Sequence, residues 1–278
     1  MPAVLITGAS TGIGRATSLK LAAAGWTVLA GVRKQADGDA LTADGGERVV
    51  PLTLDVTDAE QIAAAAQLVR ERTGAHGLDA LVNNAGIGIG GPLELVAVDE
   101  LRRQFEVNVF GLMAITQALL PALRAAHGRL VLVSSVGGRV TTPFTGPYCA
   151  SKYAVEAIGD ALRVELRRSN VKVALIEPGS IATPIWDKAG ADIQSVAIPE
   201  GLHEQYGQVP AAMDKTIKDT AKRGIPPERV AEAIVHALSA GKPRTRYVVG
   251  RDARLMMLGR SLLPDRVWDA VVTRALGV

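Results

Sequence analysis

Ala3-Val4-Leu5-Ile6-Thr7-Gly8-Ala9-Ser10-Thr11-Gly12-Ile13-Gly14, followed by a helical segment from Arg15 to Ala24, decides the fold. Val4-Leu5-Ile6 is a short apolar run of the kind buried on both faces of a parallel sheet. Three glycines follow at once, and then a helix. In that order a glycine-rich turn has chemical meaning. Glycine lets the backbone pass close to a pyrophosphate, and free N–H groups at a helix N-terminus receive its charge. The spacing is Gly-x-x-x-Gly-x-Gly rather than the commoner Gly-x-Gly-x-x-Gly. A plain tight turn is the alternative, and the strand before it and the helix after it count against that.

Outward from this unit the pattern repeats. Trp26 to Ala30 reads as a second strand, Val49 to Leu54 as a third, and Asp79 to Val82 as a fourth. Arg129 to Val133, Val171 to Ile176 and Thr245 to Val249 complete seven. Helical segments separate them. One opens after an N-cap at Thr57 or Asp58 and runs to Arg72, one spans Leu101 to Leu123, one begins near Tyr148 and runs to about Arg168, and one spans Pro226 to Leu238. Strands alternating with helices predict an α/β protein. We expect a single Rossmann-like, doubly wound domain over 1–278, with a seven-stranded parallel sheet, right-handed crossovers and helices on both faces. Residues 35–47 read as a polar loop. Residues 185–224 show no strong period and read as a substrate-loop insertion. Residues 251–278 read as an amphipathic helical tail, packed on its own core or on another subunit in preference to the substrate mouth or a membrane surface.

The strand ends carry polar residues where open α/β sheets bind ligands. After the second strand come Gly31-Val32-Arg33-Lys34, with no acid before Asp37. A carboxylate there would suit the ribose 2′-hydroxyl of NAD; a guanidinium suits the 2′-phosphate of NADP. Arg33 therefore favours NADP(H) over NAD(H), with a solvated loop arginine as the alternative. Asp55-Val56 and Asn83-Asn84-Ala85-Gly86 end the third and fourth strands. Asn108 sits inside a predicted helix, where Asn is a poor former. It is either satisfied by neighbouring backbone or holds a water near a site.

The fifth strand leads into Ser134-Ser135, and Tyr148 and Lys152 follow four apart. On a helix they leave the same face. An ammonium beside a phenol lowers its pKa from about 10, which would fit Tyr148 for proton transfer. Ser135 could donate to the same substrate oxygen. A Tyr-x-x-x-Lys pair alone is more often a surface pair; its weight comes from the rest of the chain.

Apolar residues make up 48% of the chain, enough for a large core, and the net charge is only +3. The basic residues are scattered, which argues against nucleic acid as a partner. A single cysteine, Cys149, rules out an internal disulfide and fits a reducing compartment. The four histidines lie far apart, so no metal site is expected. The N-terminus enters the first strand with no charged leader, and no apolar run reaches the roughly 20 residues that span a bilayer. A cytoplasmic protein with no firm sign of membrane contact is expected.

Thr7-Gly8-x-x-x-Gly12-x-Gly14, Asp55, Asn83-Asn84-Ala85-Gly86, Asn108, Ser135, Tyr148-x-x-x-Lys152 and Pro178-Gly179 with Thr183 stand in one order. In this the chain resembles the short-chain dehydrogenase/reductase family over about residues 3–250. Val133 to Ala157 is also similar to the hydroxysteroid and retinol dehydrogenase branches. The resemblance implies that Tyr148 donates or accepts the proton and that Lys152 lowers its pKa and binds the nicotinamide ribose. It implies that Ser135, rather than Ser134, positions the substrate oxygen, and that Asn108 holds a relay water. Gly8, Ser10, Thr11, Gly12, Ile13 and Gly14 would take the pyrophosphate, Arg33 the 2′-phosphate, Asp55 and Val56 the adenine, and Asn83 the adjoining ribose, with Ala85 and Gly86 also at the cofactor. Ile181 and Thr183 would hold the carboxamide, with Pro178 and Gly179 also at the cofactor. The implied activity is reversible interconversion of a ketone or aldehyde and an alcohol, on an apolar substrate of steroid, retinoid or alicyclic type. A homodimer or homotetramer is implied through helices near 101–123 and 152–168. Two other readings are a non-catalytic dinucleotide-binding sensor and an epimerase or dehydratase using the same residues.

Overall fold

The computed structural model describes residues 1–183 and 198–276. Its strands are β1 (Ala3–Ile6), β2 (Thr27–Val32), β3 (Val49–Thr53), β4 (Ala80–Asn83), β5 (Arg129–Val133), β6 (Lys172–Pro178) and β7 (Arg246–Val249). All seven pair in parallel, in the order β3-β2-β1-β4-β5-β6-β7. The helices that cover the sheet include α1 (Gly12–Ala23), α2 (Gln35–Gly45), α3 (Ala59–Thr73), α4 (Val98–Phe105), α5 (Leu112–Ala125) and α6 (Gly146–Glu165). After β6 come α7 (Val209–Arg223), α8 (Pro227–Ser239), α9 (Arg251–Leu262) and α10 (Asp265–Leu276).

Side chains alternate across a strand, so β1 divides its residues between two cores. Leu5 packs with Leu29, Leu81 and Leu130, under Val69 of α3, Ile115 of α5 and Val155 of α6. Val4 and Ile6 point the other way, with Val28, Val82 and Val131, onto Leu21 of α1, Leu41 of α2 and Ile234 of α8. Each such side chain stabilises the fold by about 1.5–3 kcal/mol relative to exposure. With both faces covered, every residue of β1 and β4 is buried. That explains their unbroken apolar sequence. The strand order reverses beside β1, where the chain leaves β3 at one edge and returns at β4. Such a switch point opens a crevice at the carboxyl ends of the strands.

The expected polar loop at 35–47 is instead helical from Gln35 to Gly45. Its propensity is poor, but Leu41 is buried against the core and Gly38 lies against β3. A Cβ on Gly38 would stand 2.6 Å from Pro51 Cβ, so glycine permits the contact. Tertiary packing offsets the cost of a mid-helix glycine, about 1 kcal/mol.

The long helix expected over 101–123 is interrupted by a π segment, Glu106–Gly111, between α4 and α5. A Cβ on Gly111 would stand 2.6 Å from the Val56 carbonyl oxygen, and Asn108 turns inward within the bulge. Contrary to the expectation for apolar runs, Val98–Ala125 is long and apolar enough to cross a membrane by length and composition. Its Ile115, Leu119 and Leu123 are buried in the core.

Within the expected insertion at 185–224, residues 185–197 lie outside the described residues. The remainder is less irregular than its composition implies. α7 buries Val209, Met213 and Ile217 at four-residue steps against Phe144 and Tyr206. The tail is helical up to Leu276, while residues 277–278 lie outside the described residues. It packs inward through Ala253 and Trp268, yet Leu255, Leu258 and Leu262 are 55–70% exposed. Its apolar stripe therefore only partly joins the core.

Candidate active site

Parallel strands end at one edge of the sheet, so Thr7, Arg33, Asp55, Asn83, Ser135 and Gly179 all emerge along the same crevice. The glycine turn between β1 and α1 is held there by side chains. Thr7 Oγ1 accepts from the backbone N–H groups of Asn84 (3.0 Å) and Ala85 (2.9 Å). Asn84 Nδ2 donates back to the carbonyls of Thr7 (3.0 Å) and Gly8 (2.9 Å). Thr7 and Asn84 thus tie the turn to the end of β4, a role the motif spacing did not assign them. Gly8 and Gly12 adopt left-handed φ angles of +64° and +53°. A Cβ on Gly14 would lie 2.2 Å from the Gly8 carbonyl oxygen. Thr11 precedes α1 without a side-chain cap, so the first N–H groups of that helix, from Gly12 onward, remain for a ligand. Ser10 lies in the same turn, and Ile13 packs partly on the core.

The remaining expected cofactor residues occupy the same edge. Arg33 is exposed just beyond β2, with no ion-pair partner among the described residues. Asp55 Oδ1 closes a turn, accepting from Thr57 N (3.0 Å) and Thr57 Oγ1 (2.7 Å). Val56 is buried beneath Gly111. Asn83 donates to Thr116 Oγ1 at 2.7 Å, while its buried Oδ1 has no partner among the described residues. Ile181 is buried and bridges to Ile225. Thr183 ends the described stretch.

Ser135 ends the β5 connection and caps a short helical turn, accepting from Gly137 N at 3.0 Å. Its hydroxyl converges with the Tyr148 ring: a Cβ on Gly137 would stand 3.4 Å from Ser135 Oγ and 3.3 Å from Tyr148 Cε1. Ser134 Oγ is instead buried without a partner among the described residues, beside Gly138. Lys152, one turn beyond Tyr148 on α6, places Nζ 5.8 Å from the phenol ring centre and donates to the Val133 carbonyl at 2.9 Å. Gly86 completes the group: a Cβ there would lie 3.2 Å from Asn108 Oδ1 and 3.6 Å from Lys152 Nζ. Ser135, Tyr148, Lys152, Asn108 and Gly86 are therefore one cluster.

The direction of the Tyr148 shift differs from that expected of a Tyr-x-x-x-Lys pair. Tyr148 is partly exposed as a residue, yet its phenol lies deep, and burial pushes its pKa up to about 12 against the lowering effect of the Ser135 hydrogen bond. Burial likewise pulls Lys152 down to about 8, with Glu156 opposing. Desolvation of both charged forms outweighs their helical proximity.

Asn108 is also more fully engaged than the expected water-holder. Its Oδ1 accepts from Ile87 N (2.9 Å), and its Nδ2 donates to Ile87 O and Ser151 Oγ (both 3.0 Å). Both N–H groups are spent on protein. The side chain pins the loop after β4 to α6, and buried Gln104 repeats this at Ile87 and Ile89.

One further residue was not legible at all. Asp252, in the first turn of α9, accepts from Ser180 N at 2.7 Å and packs over Gly179 and Gly250. It locks the Pro178-Gly179 turn from the tail, seventy-two residues away along the chain. Asp252→Ala is expected to lower stability by about 1.5–3 kcal/mol, the range for a hydrogen bond to a charged group. Paired urea melts would measure it, and an unchanged midpoint would deny the tail this role.

The family described as short chain dehydrogenase matches residues 2–194. NADPH-dependent 3-dehydrocapnine reductase of Ornithobacterium rhinotracheale is 39% identical over 277 residues, covering 98% of this chain and 96% of its own. Human retinol dehydrogenase 16 is 40% identical, covering 97% of this chain and 87% of its own. The crystal structure of a short-chain dehydrogenase from Streptomyces avermitilis superposes with a TM-score of 0.78 at 32% identity, covering 98% of this chain and 95% of that one. With the Ser135–Tyr148–Lys152 cluster beside a glycine cradle at the sheet's switch point, the chain belongs to the short-chain dehydrogenase family and is an oxidoreductase acting on alcohol and carbonyl groups.

Proposed function

We propose that the protein is an NADP(H)-dependent oxidoreductase that interconverts an apolar ketone or aldehyde and its alcohol. The observation that carries this is the convergence of the Ser135 hydroxyl and the Tyr148 ring beside the buried Lys152 ammonium, at the crevice end of β5.

The residues fit a nicotinamide dinucleotide. In the Gly8–Gly14 turn a Cβ on Gly8 or Gly14 would run into backbone, and Asn83 Oδ1 is a buried acceptor without a partner among the described residues. The turn and the start of α1 would hold the pyrophosphate, Asn83 a ribose hydroxyl, and Ile181 and Thr183 the carboxamide. When bound, the cofactor supplies or accepts the hydride. Tyr148 supplies the proton. Its raised pKa keeps the phenol protonated at neutral pH, the donor form that carbonyl reduction needs. Ser135 orients the carbonyl oxygen and steadies the phenolate left behind. Lys152, buried and cationic, balances that negative charge.

Arg33 supports NADP over NAD, as does the name of the similar 3-dehydrocapnine reductase. Arg33→Ala is expected to weaken NADPH by about 1.5–3 kcal/mol and NADH little, since a charge-assisted phosphate contact is lost. Titration of both cofactors by fluorescence would measure it; equal losses would remove Arg33 as the discriminator. The apolar substrate is supported by the cluster of Phe144, Tyr206 and Met213, in which Phe144 lies four residues before Tyr148. A homo-oligomer is supported by Phe110, Tyr153 and Val164, 43–64% exposed on the helices around α5 and α6. A single buried free cysteine supports a cytoplasmic location.

The experiment is loss of NADPH and NADH absorbance across steroid, retinoid, alicyclic and small keto-ester carbonyls. Turnover of an apolar class with NADPH is the expected result. Tight NADPH binding without turnover of any class would instead favour the sensor reading.

A further inference from the structure

Tyr148, Lys152, Glu156 and Asp160 stand at four-residue steps on α6, in one row along the helix. Glu177 of β6 and Arg246 of β7 pack behind the row. Glu177 is fully buried and Glu156 is 5% exposed. Arg246 Nε donates to Glu156 Oε2 and Glu177 Oε1, both at 3.1 Å, and Arg246 Nη2 to Asp160 Oδ2 at 2.8 Å. Arg139, from the connection after β5, reaches Glu177 Oε1 at 3.2 Å, and Arg163 reaches Asp160 Oδ1 at 2.8 Å. Both Asp160 contacts hold that carboxylate ionised, near pKa 2.

These pairings leave one oxygen over on each glutamate. Glu156 Oε1 and Glu177 Oε2 are buried and have no partner among the described residues. The two carboxyl groups lie within hydrogen-bonding reach of each other. Two ionised carboxylates have only acceptors to offer, so they repel. A proton on one of the two carboxyl groups turns that repulsion into a hydrogen bond to the other.

We infer that Glu156 and Glu177 share a single proton, and that ionised Glu156 is a positioning residue that keeps Lys152 charged. The second half rests on the proposed role of Tyr148 and Lys152. Lys152 has lost its water, and its Nζ has one carbonyl partner, Val133. Glu156, one turn on, supplies the opposing charge that raises its pKa. The proton goes to Glu177, which is fully buried and whose carboxyl is raised by that burial and by Glu156, although Arg246 reaches both glutamates. The other groups facing the pair are cationic Arg139 and Arg163 and anionic Asp160.

Infrared spectroscopy tests the shared proton without any substrate. A carboxylic-acid C=O band is expected in the wild-type protein at neutral pH and should vanish in Glu177→Gln; its absence from the wild type would overturn the pair. Burial, then the Glu156 charge, pushes Glu177 up to about 7. A raised carboxyl contributes stability below its ordinary pKa of 4.5 that is lost as pH rises through about 7. Melts across that window should therefore slope in the wild type and flatten in Glu177→Gln.

Activity against pH tests the positioning role. In Glu156→Gln, Lys152 loses its counter-charge, and the alkaline limb of kcat should fall by about 1 pH unit or more. In Glu177→Gln the amide donates permanently to Glu156, and the limb should stay at or above its wild-type position. Glu156→Asp should restore part of the shift. A purely structural role would lower melting temperatures and leave the limbs together, which would overturn the inference. If Glu156→Gln does not fold, the wild-type band and the Glu177→Gln limb still decide. A band with no carbonyl turnover in the wild type would sustain the shared proton and remove the proposed reaction.

Discussion

Tyr148→Phe is expected to lower carbonyl-reductase turnover by about 10²–10⁴-fold, the contribution of a positioned general acid. The substitution removes one oxygen and retains the ring. Ser135 Oγ loses the phenol but keeps its bond from Gly137 N, so the turn after β5 should hold. Lys152 keeps its Val133 carbonyl. Cofactor affinity should therefore change little, and the loss should fall on kcat. A burial-raised phenol is the donor in the reducing direction, so reduction is the direction in which to measure it. Steady-state kinetics beside an NADPH titration separates the two effects. Near-wild-type turnover would mean that the proton comes from elsewhere and would sink the assignment of Tyr148.

Gly14→Ala carries the second large effect. Its Cβ would stand 2.2 Å from the Gly8 carbonyl oxygen and 2.6 Å from Asn84 Nδ2. Neither neighbour can give way cheaply. Gly8 is main chain in a left-handed turn, and Asn84 is already bonded to the carbonyls of Thr7 and Gly8. Overpacking of this kind costs about 1–3 kcal/mol. It also spreads the cradle where the pyrophosphate would rest, so NADPH affinity should drop by at least about tenfold, equivalent to about 1.4 kcal/mol. Gly201→Ala is the control, because a Cβ there meets nothing within 4 Å. Calorimetric melts and cofactor titration of both variants would measure the contrast. Wild-type affinity in Gly14→Ala would show that the turn is not the cofactor's cradle.

Much of this was legible along the chain because its cause is local. A strand buried on both faces must be apolar throughout, so Val4-Leu5-Ile6 and Leu130-Val131-Leu132-Val133 announce themselves. Gly8, Gly12 and Gly14 mark a turn into α1 in which a Cβ on Gly8 or Gly14 would meet backbone. Tyr148 and Lys152 share a face because helical periodicity puts them there, and Asp58 caps α3 through Glu60 N and Gln61 N, as its residue type foretold.

What only the tertiary structure decided depends on which element lies opposite. α2 is a helix because Leu41 and Gly38 meet β3 and the core, against a weak local propensity. The π segment forms where Gly111 meets Val56 and Asn108 reaches Ile87 and Ser151. Asp252 acts on Ser180, and Arg246 joins Glu156 to Glu177, across distances that no spacing rule spans. Tyr148 is the sharpest case. Sequence puts an ammonium one turn away and so points its pKa downward, but depth in the fold points it upward, because losing water costs the phenolate more than the distant charge returns. Residue type and period determined the elements and brought the candidate site residues into line; packing determined their charge states and what holds them in place.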